Sequence, residues 1–334
     1  MGKKIFVVKQ GGIGDVILAP PILAELTDRY PDSLITLMVF LNAVDVVTGL
    51  PFIDEVFTYD KKTDSIWKLY HKMRGNDIAV FLDLSYRPAM VAAMARIPVR
   101  IGIEHKRKFW LTHKIEWQEY MDHIYEPYVF GDILKESIGL DIPREKLDKL
   151  YIAEADGTDK GNLWEKLQRG NIHEGDRYVV CSPVTAFFLK NWPLERWNEL
   201  FIRIYREYGM KTVIFGGGKL DFNWNKEAVV DLWGQLNLRQ TGELIKNAVM
   251  LVNSCSMPIH MASAVDTPCV VLYGYGDPAR WAPRNNCTII KTDLACSPCD
   301  GYHGSTCQDP ICMKKMTVEE VFACCSEILA DLKE

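Results

Sequence analysis

The chain has 334 residues, 48% of them apolar and 25% charged, values that exclude a disordered, collagenous or coiled-coil protein and favour two domains. A net charge of −5 argues against a surface drawn as a whole to nucleic acid. No apolar run reaches the ~18 residues of a membrane span, and residues 1–8 lack the long apolar region of a signal peptide, so a cytoplasmic protein is expected.

Short apolar runs alternate with longer amphipathic ones, the pattern of βα units and a mostly parallel sheet. Residues 4–8 read as a buried strand followed by a glycine-rich turn. Pro20 and Pro21 then open or kink a helix to about Tyr30, because proline is best tolerated in a first turn. Strands are expected at 34–39, 77–82 and 99–103, with helices at about 63–74 and 87–95 and a long helix at 120–137. Residues 141–176 are charged and carry Pro143, Gly157, Gly161, Gly170 and Gly175. They read in part as a connection between domains at 1–160 and 173–334. The alternation then resumes with a strand at 178–181, a helix at 193–208, a strand at 212–215, a turn at 216–218 and a helix at 241–247. Strands at 249–252 and 269–273 flank a short helix at 258–265, and an amphipathic helix at 317–332 ends the chain. Two α/β halves of similar size imply a cleft, and ligands of such sheets bind beyond the carboxyl ends of strands.

Three strand-to-helix turns carry residue types suited to chemistry. Gly11-Gly12-Ile13-Gly14-Asp15 is not a dinucleotide fingerprint, because Ile17 stands where the third glycine would. Nor is it a P-loop, since the lysine and hydroxyl are missing. Its glycines admit a close ligand, and Asp15 reads as either a general base or a helix N-cap. In the second turn, residues 185–192, Lys190 sits near a helix start where ammonium and dipole together suit a phosphate; a solvated surface lysine is the plain alternative. In the third, Ser256 reads as an N-cap with Pro258 in the first turn, leaving N–H groups for a diphosphate without a metal ion. His260 there is a ligand or a core or capping histidine. Gly274-Tyr275-Gly276-Asp277-Pro278 forms a further turn at the same sheet edge.

Ten cysteines in a chain without an export signal do not imply disulfides. Cys296, Cys299, Cys307 and Cys312 are nonetheless concentrated near the C-terminus. One CxxC with two further thiols suits a structural zinc or iron ion, and free thiols or disulfides are the alternatives. Cys324 and Cys325 read as helix packing residues.

Five stretches occur together and in order: KIFVVKQGGIGDVILAPPILAEL (4–26), DLSYRPAMVAAMARIPVRIGI (83–103), LKNWPLERWNEL (189–200), HMASAVDTPCVVLYGYGDP (260–278) and CSPC…C…CM (296–313). In these the chain resembles glycosyltransferase family 9, which includes the ADP-heptose:lipopolysaccharide heptosyltransferases. The resemblance implies a GT-B architecture of two Rossmann-like domains with parallel sheets facing a central cleft. It also implies an inverting, metal-independent transfer in the cytoplasm, peripheral to the inner membrane.

By motif, the resemblance places Asp15 as catalytic base with Gly12 and Gly14 beside the acceptor. Lys190 falls on the donor diphosphate, Thr185 on a phosphate and, more loosely, Asp221 on the ribose. Cys255, Ser256, Met257 and His260 complete the donor side. The donor is then ADP-heptose or a similar nucleotide-sugar, and the acceptor an acidic glycan or glycolipid met by Lys106, Arg107 and Lys108, with Lys61, Lys62, Arg96 and Arg100 on the same half. A solvated charge run is the simpler account of those cations.

The family commonly has an acidic residue then Ser/Thr-Gly where Cys255-Ser256-Met257 stand. That departure keeps open another donor sugar, a catalytically silent nucleotide-sugar or glycan binder, and a nucleotide-sugar epimerase on the same scaffold. The cysteine-rich insert keeps open a protein acceptor.

Overall fold

A computed structural model describes residues 2–297, 299 and 307–330. The chain forms two compact units, the first ending at Ala153 and the second beginning at Glu154. The first contains β1 (Lys4–Val8), β2 (Leu34–Val39), β3 (Glu55–Thr58), β4 (Ile78–Phe81), β5 (Val99–Ile103) and β6 (His113–Ile115), in the order β3-β2-β1-β4-β5-β6. The second contains β7 (Tyr178–Cys181), β8 (Lys211–Ile214), β9 (Val229–Asp231), β10 (Met250–Ser254), β11 (Cys269–Tyr273) and β12 (Cys287–Lys291), in the order β9-β8-β7-β10-β11-β12. All pairings are parallel. Counted within its own unit, each sheet therefore runs 3-2-1-4-5-6, the order of the Rossmann fold. Chain direction across the sheet reverses between β1 and β4 and between β7 and β10. Loops leaving those four strands diverge to opposite faces and open a crevice at the carboxyl edge.

Burial explains which segments became strands. β7, β10 and β11 are buried at every position, as expected of central parallel strands covered on both faces. The four edge strands β3, β6, β9 and β12 are short or only half-buried, and none was expected from the sequence. The 141–176 span read as a connection holds two helices, Arg144–Asp148 and Gly157–Arg169, the latter started by Asp156, whose carboxylate accepts from Asp159 N at 2.8 Å. The helix expected from 120 starts at Glu126, after a separate 3₁₀ turn at Glu119–Asp122. That expected from 241 starts at Leu238, where Asn237 accepts from Gln240 N.

In the second unit, Trp192 packs edge-on to Trp197 with ring centroids 4.8 Å apart, and Trp197 stacks on Phe201 at 5.8 Å. The Trp192 Nε1 donates to Met316 O at 3.0 Å. A buried indole thus ties the loop carrying Lys190 to the chain that leads into the last helix, Val318–Ala330. Cys325 is buried in this core with Cys324 packed against it. Among the described residues, no helix is long and apolar enough to cross a membrane.

Candidate active site

At the first switch point the glycine-rich turn leaves β1 and enters a five-residue helix, Ile13–Ile17, whose N-cap is Gly12. Asp15 is therefore not the N-cap. It stands in the first turn and reaches back, its Oδ2 accepting from Gly12 N at 2.8 Å. That curl explains the glycines: a Cβ at Gly11 would lie 3.0 Å from Asp15 Oδ2, and one at Gly12 3.1 Å from it. Asp15 Oδ1 has no hydrogen-bond partner among the described residues. One carboxylate oxygen fixes the loop, and the other makes no bond within it. Gly14 lies in the same helix, half-buried.

Side chains that sequence reasoning missed hold this turn in place. Asp83, just beyond β4, accepts from Gln10 N at 2.8 Å through Oδ2, and from Ser85 N at 2.8 Å and the Ser85 hydroxyl through Oδ1. The switch-point strands are thereby laced at their carboxyl ends. Gln10 Nε2 donates to Tyr59 O at 2.7 Å. Lys9 is buried 3.5 Å from Glu126 Oε1, with its ammonium 4.8 Å from the Phe130 ring centroid.

The basic run 105–108 divides. Lys106 and Lys108 are exposed, as are Lys61, Lys62 and Arg96. Arg107 is turned inward, its side chain 1% exposed. Its guanidinium donates to Ile103 O at 2.8 Å and Ser85 O at 3.1 Å and sits 3.9 Å from Asp83. Burial lowers its pKa to about 10, against the raising influence of Asp83. Its contacts make it a brace under the Asp83 network rather than part of a solvent-facing patch. Arg100 is likewise engaged with backbone, donating to Trp110 O at 2.7 Å.

At the second switch point, Asn253 in β10 accepts from Ser182 N at 2.7 Å, just beyond β7, and donates to Ser254 O at 2.7 Å and Ser256 Oγ at 3.0 Å. Ser256 is the N-cap of the helix Met257–Ala264, but its hydroxyl faces Ser254 O at 3.3 Å, and no side chain caps the helix. The positive end of the helix is left for a ligand. Met257 stands half-buried in its first position.

In the neighbouring loop, Asn191 accepts from both Thr185 N (2.8 Å) and Thr185 Oγ1 (2.9 Å), closing residues 185–191 into a ring. Lys190 ends a short 3₁₀ turn, with its ammonium 5.7 Å from the Tyr275 ring centroid, and the Phe187 ring packs on Tyr275 at 4.5 Å.

The Lys190 charge reaches two buried groups. Burial raises the Cys255 thiol pKa, opposed by Lys190. Burial, then the Lys190 charge, brings the His260 imidazole from 6.5 down to about 3, and its Nδ1 is buried without a hydrogen-bond partner among the described residues. His260 is thus a neutral ring beside a cation.

The linkage sign follows from this depression. The neutral imidazole carries no penalty above the unfolded-state value near 6.5, and stability is lost as pH falls from there towards 3. Taking urea-denaturation free energies from pH 7 to pH 5 should cost wild type about 2 kcal/mol more than His260→Gln. Equal losses would show that the ring is not buried as described.

Asp221 is exposed in the loop after β8. Among the described residues, no three His, Cys, Asp or Glu side chains gather closely enough to hold a metal ion. Cys296, Cys299, Cys307 and Cys312 form no such group among the described residues. Burial is the main cause raising the Cys312 thiol pKa, with Cys307 and Cys296 adding to it. Ser297 and Cys312 do pack on the turn after β11: a Cβ at Gly274 would lie 2.7 Å from Cys312 Sγ, and Ser297 Oγ donates to Gly274 O at 3.0 Å.

Two Rossmann-type sheets, each with a strand-to-helix turn at its switch point, define an α/β protein of the GT-B class. At 20% identity the structure of Escherichia coli ADP-heptose lipopolysaccharide heptosyltransferase II shares this fold, with a TM-score of 0.79 over 99% of this chain and 100% of that one. The chain belongs to glycosyltransferase family 9 (heptosyltransferase), whose family model matches residues 66–307. Lipopolysaccharide heptosyltransferase 3 of E. coli K12 is 24% identical over 294 residues, 81% of this chain and 82% of its own. Lipopolysaccharide heptosyltransferase 2 of the same strain is 24% identical over 350 residues, 90% and 93% of the two chains. The protein is a glycosyltransferase.

Proposed function

We propose that the protein moves heptose from ADP-heptose onto an acidic, lipid-linked core glycan, with inversion, without a metal ion in the chemistry, at the cytoplasmic side of the membrane. The observation that carries this is the half-engaged Asp15 carboxylate at one switch point, matched by an uncapped helix start and the Lys190 cation at the other. Asp15 Oδ1 takes the acceptor hydroxyl proton as that oxygen attacks the anomeric carbon. The bond from that carbon to the diphosphate oxygen breaks, and ADP leaves with growing negative charge. Lys190, Thr185 and the helix start at Ser256–Met257 meet that charge, which fixed donors stabilise better than water does. His260, being neutral, can face the sugar without repelling Lys190. Asp221 is assigned to the ribose, and Gly12 and Gly14 to the approach of the acceptor.

The Lys108 ammonium lies 5.5 Å from the ring centroid of Phe109, a residue 82% exposed, and the exposed Lys106 shares the same 3₁₀ turn, so cations and a bare phenyl on one turn suit an anionic glycolipid. Acceptor affinity should fall about tenfold or more between roughly 0.05 and 0.5 M salt, and Lys106→Gln/Lys108→Gln should flatten that dependence. An affinity unchanged by salt would remove these residues from the acceptor site.

Cys255 favours a second reading, a nucleotide-sugar binder without turnover, because a buried neutral thiol stands where the family commonly has an acid. Donor binding without product from any nucleotide-sugar would select it, whereas isomerised donor without acceptor would indicate an epimerase. The cysteine segment is given no part in the chemistry. Metal analysis of the reduced protein tests for a structural ion: under half an equivalent of zinc or iron would leave these cysteines as free thiols. A full equivalent would mean that the segment closes around an ion.

A further inference from the structure

A pocket of about 390 Å³ lies in the second unit along the edge strand β9, beside the carboxyl end of the helix Gly157–Arg169. Its walls bring together Lys166, Arg169, Lys211 and Lys226, with Asp231 as the one carboxylate among them. None of these is a candidate donor residue.

Two of the four cations are held by neutral groups. The Lys166 ammonium donates to Gln235 O at 2.7 Å and Gln240 Oε1 at 3.1 Å, and the Lys211 ammonium donates to Gly170 O at 2.8 Å. Lys166, Lys211 and Lys226 make no ion pair among the described residues, while Arg169 has only Glu165 at 3.9 Å, both largely exposed. The Asp231 carboxylate accepts from Trp233 N at 2.8 Å. On a chain whose net charge is −5, four cations facing one space repel each other unless an anion neutralises them. Two of them are already fixed in place, which reduces the ordering cost of binding. The volume falls near the lower end of small-molecule sites, which run from about 300 to 1,000 Å³.

We propose that this pocket is a second anion site, taking a small molecule that carries a diphosphate or two phosphates, independently of the sugar-nucleotide site at the carboxyl edge. The test uses inorganic pyrophosphate and calorimetry on the full chain carrying Lys190→Ala, so that the proposed donor site is disabled. Saturable binding should persist there, with a rise in melting temperature by linkage. Adding Arg169→Glu and Lys226→Glu, two exposed positions whose reversal leaves the backbone-bound Lys166 and Lys211 in place, should weaken binding about tenfold or more. The ligand-free melting temperature should fall only slightly, because Arg169→Glu sets a carboxylate at the helix end beside Glu165. Competition by ADP would assign the site to soluble diphosphates, and competition by cardiolipin vesicles, whose headgroup carries two phosphates, to a lipid headgroup. No saturable binding in the Lys190→Ala protein, or binding undiminished by the charge reversals, would overturn the proposal whether or not the enzyme transfers sugar.

Discussion

Asp15→Asn should lower kcat by roughly 10²–10⁴-fold, the usual contribution of a positioned general base, while leaving donor affinity and melting temperature near wild type. The amide oxygen of Asn can still accept from Gly12 N, so the 2.8 Å bond that holds the turn survives. Gly11 and Gly12 still have the room they need, because Asn and Asp are nearly isosteric. What is lost is the capacity of the second oxygen to take a proton. Single-turnover kinetics with saturating donor separates this from a binding defect. A kcat within a few-fold of wild type would remove Asp15 from the chemistry and leave it as a capping residue.

Lys190→Ala should lower kcat by about 10²–10³-fold, the scale for removing one fixed donor from a developing charge, and should also weaken ADP binding. The loop should not collapse, because Asn191 clasps Thr185 and the Trp192 indole anchors the segment to Met316 O. A separate signature follows from the neighbouring ring. With the ammonium gone, His260 loses one of the two causes that depress its pKa, so its imidazole should titrate at higher pH by NMR. Unchanged kcat and ADP affinity together would reduce Lys190 to a surface lysine.

The eight inner strands were legible because most are apolar runs of the kind a doubly covered parallel sheet demands, with β5 keeping Arg100 and β8 Lys211 at their starts. All four edge strands escaped, for a shared reason: β3 reads Glu-Val-Phe-Thr, β6 His-Lys-Ile, β9 Val-Val-Asp, and β12 exposes Ile289 and Lys291. An edge strand owes its existence to a neighbour's free backbone groups, and composition carries little of that signal.

At the candidate site, the glycine-rich turn and the Lys190 loop were recognisable from the residues at strand ends. The clasps that shape them were not. Asp83 and Asn253 are ordinary polar residues in sequence, and they matter because strands far apart in the chain end side by side, while Asn191 closes its own loop onto Thr185 six residues back. Arg107 misleads in the opposite way: four consecutive basic residues look uniformly solvated, yet a 3₁₀ turn over His105–Trp110 rotates one of them into the core.

Heptosyl transfer by direct displacement has one decisive readout. Wild-type protein incubated with ADP-heptose and a lipid-linked core acceptor should yield stoichiometric ADP and a glycan whose new linkage, resolved by NMR, has the anomeric configuration opposite to that of the donor. A retained configuration, or no glycan from ADP-heptose or any other nucleotide-sugar, would contradict attack by an Asp15-activated hydroxyl.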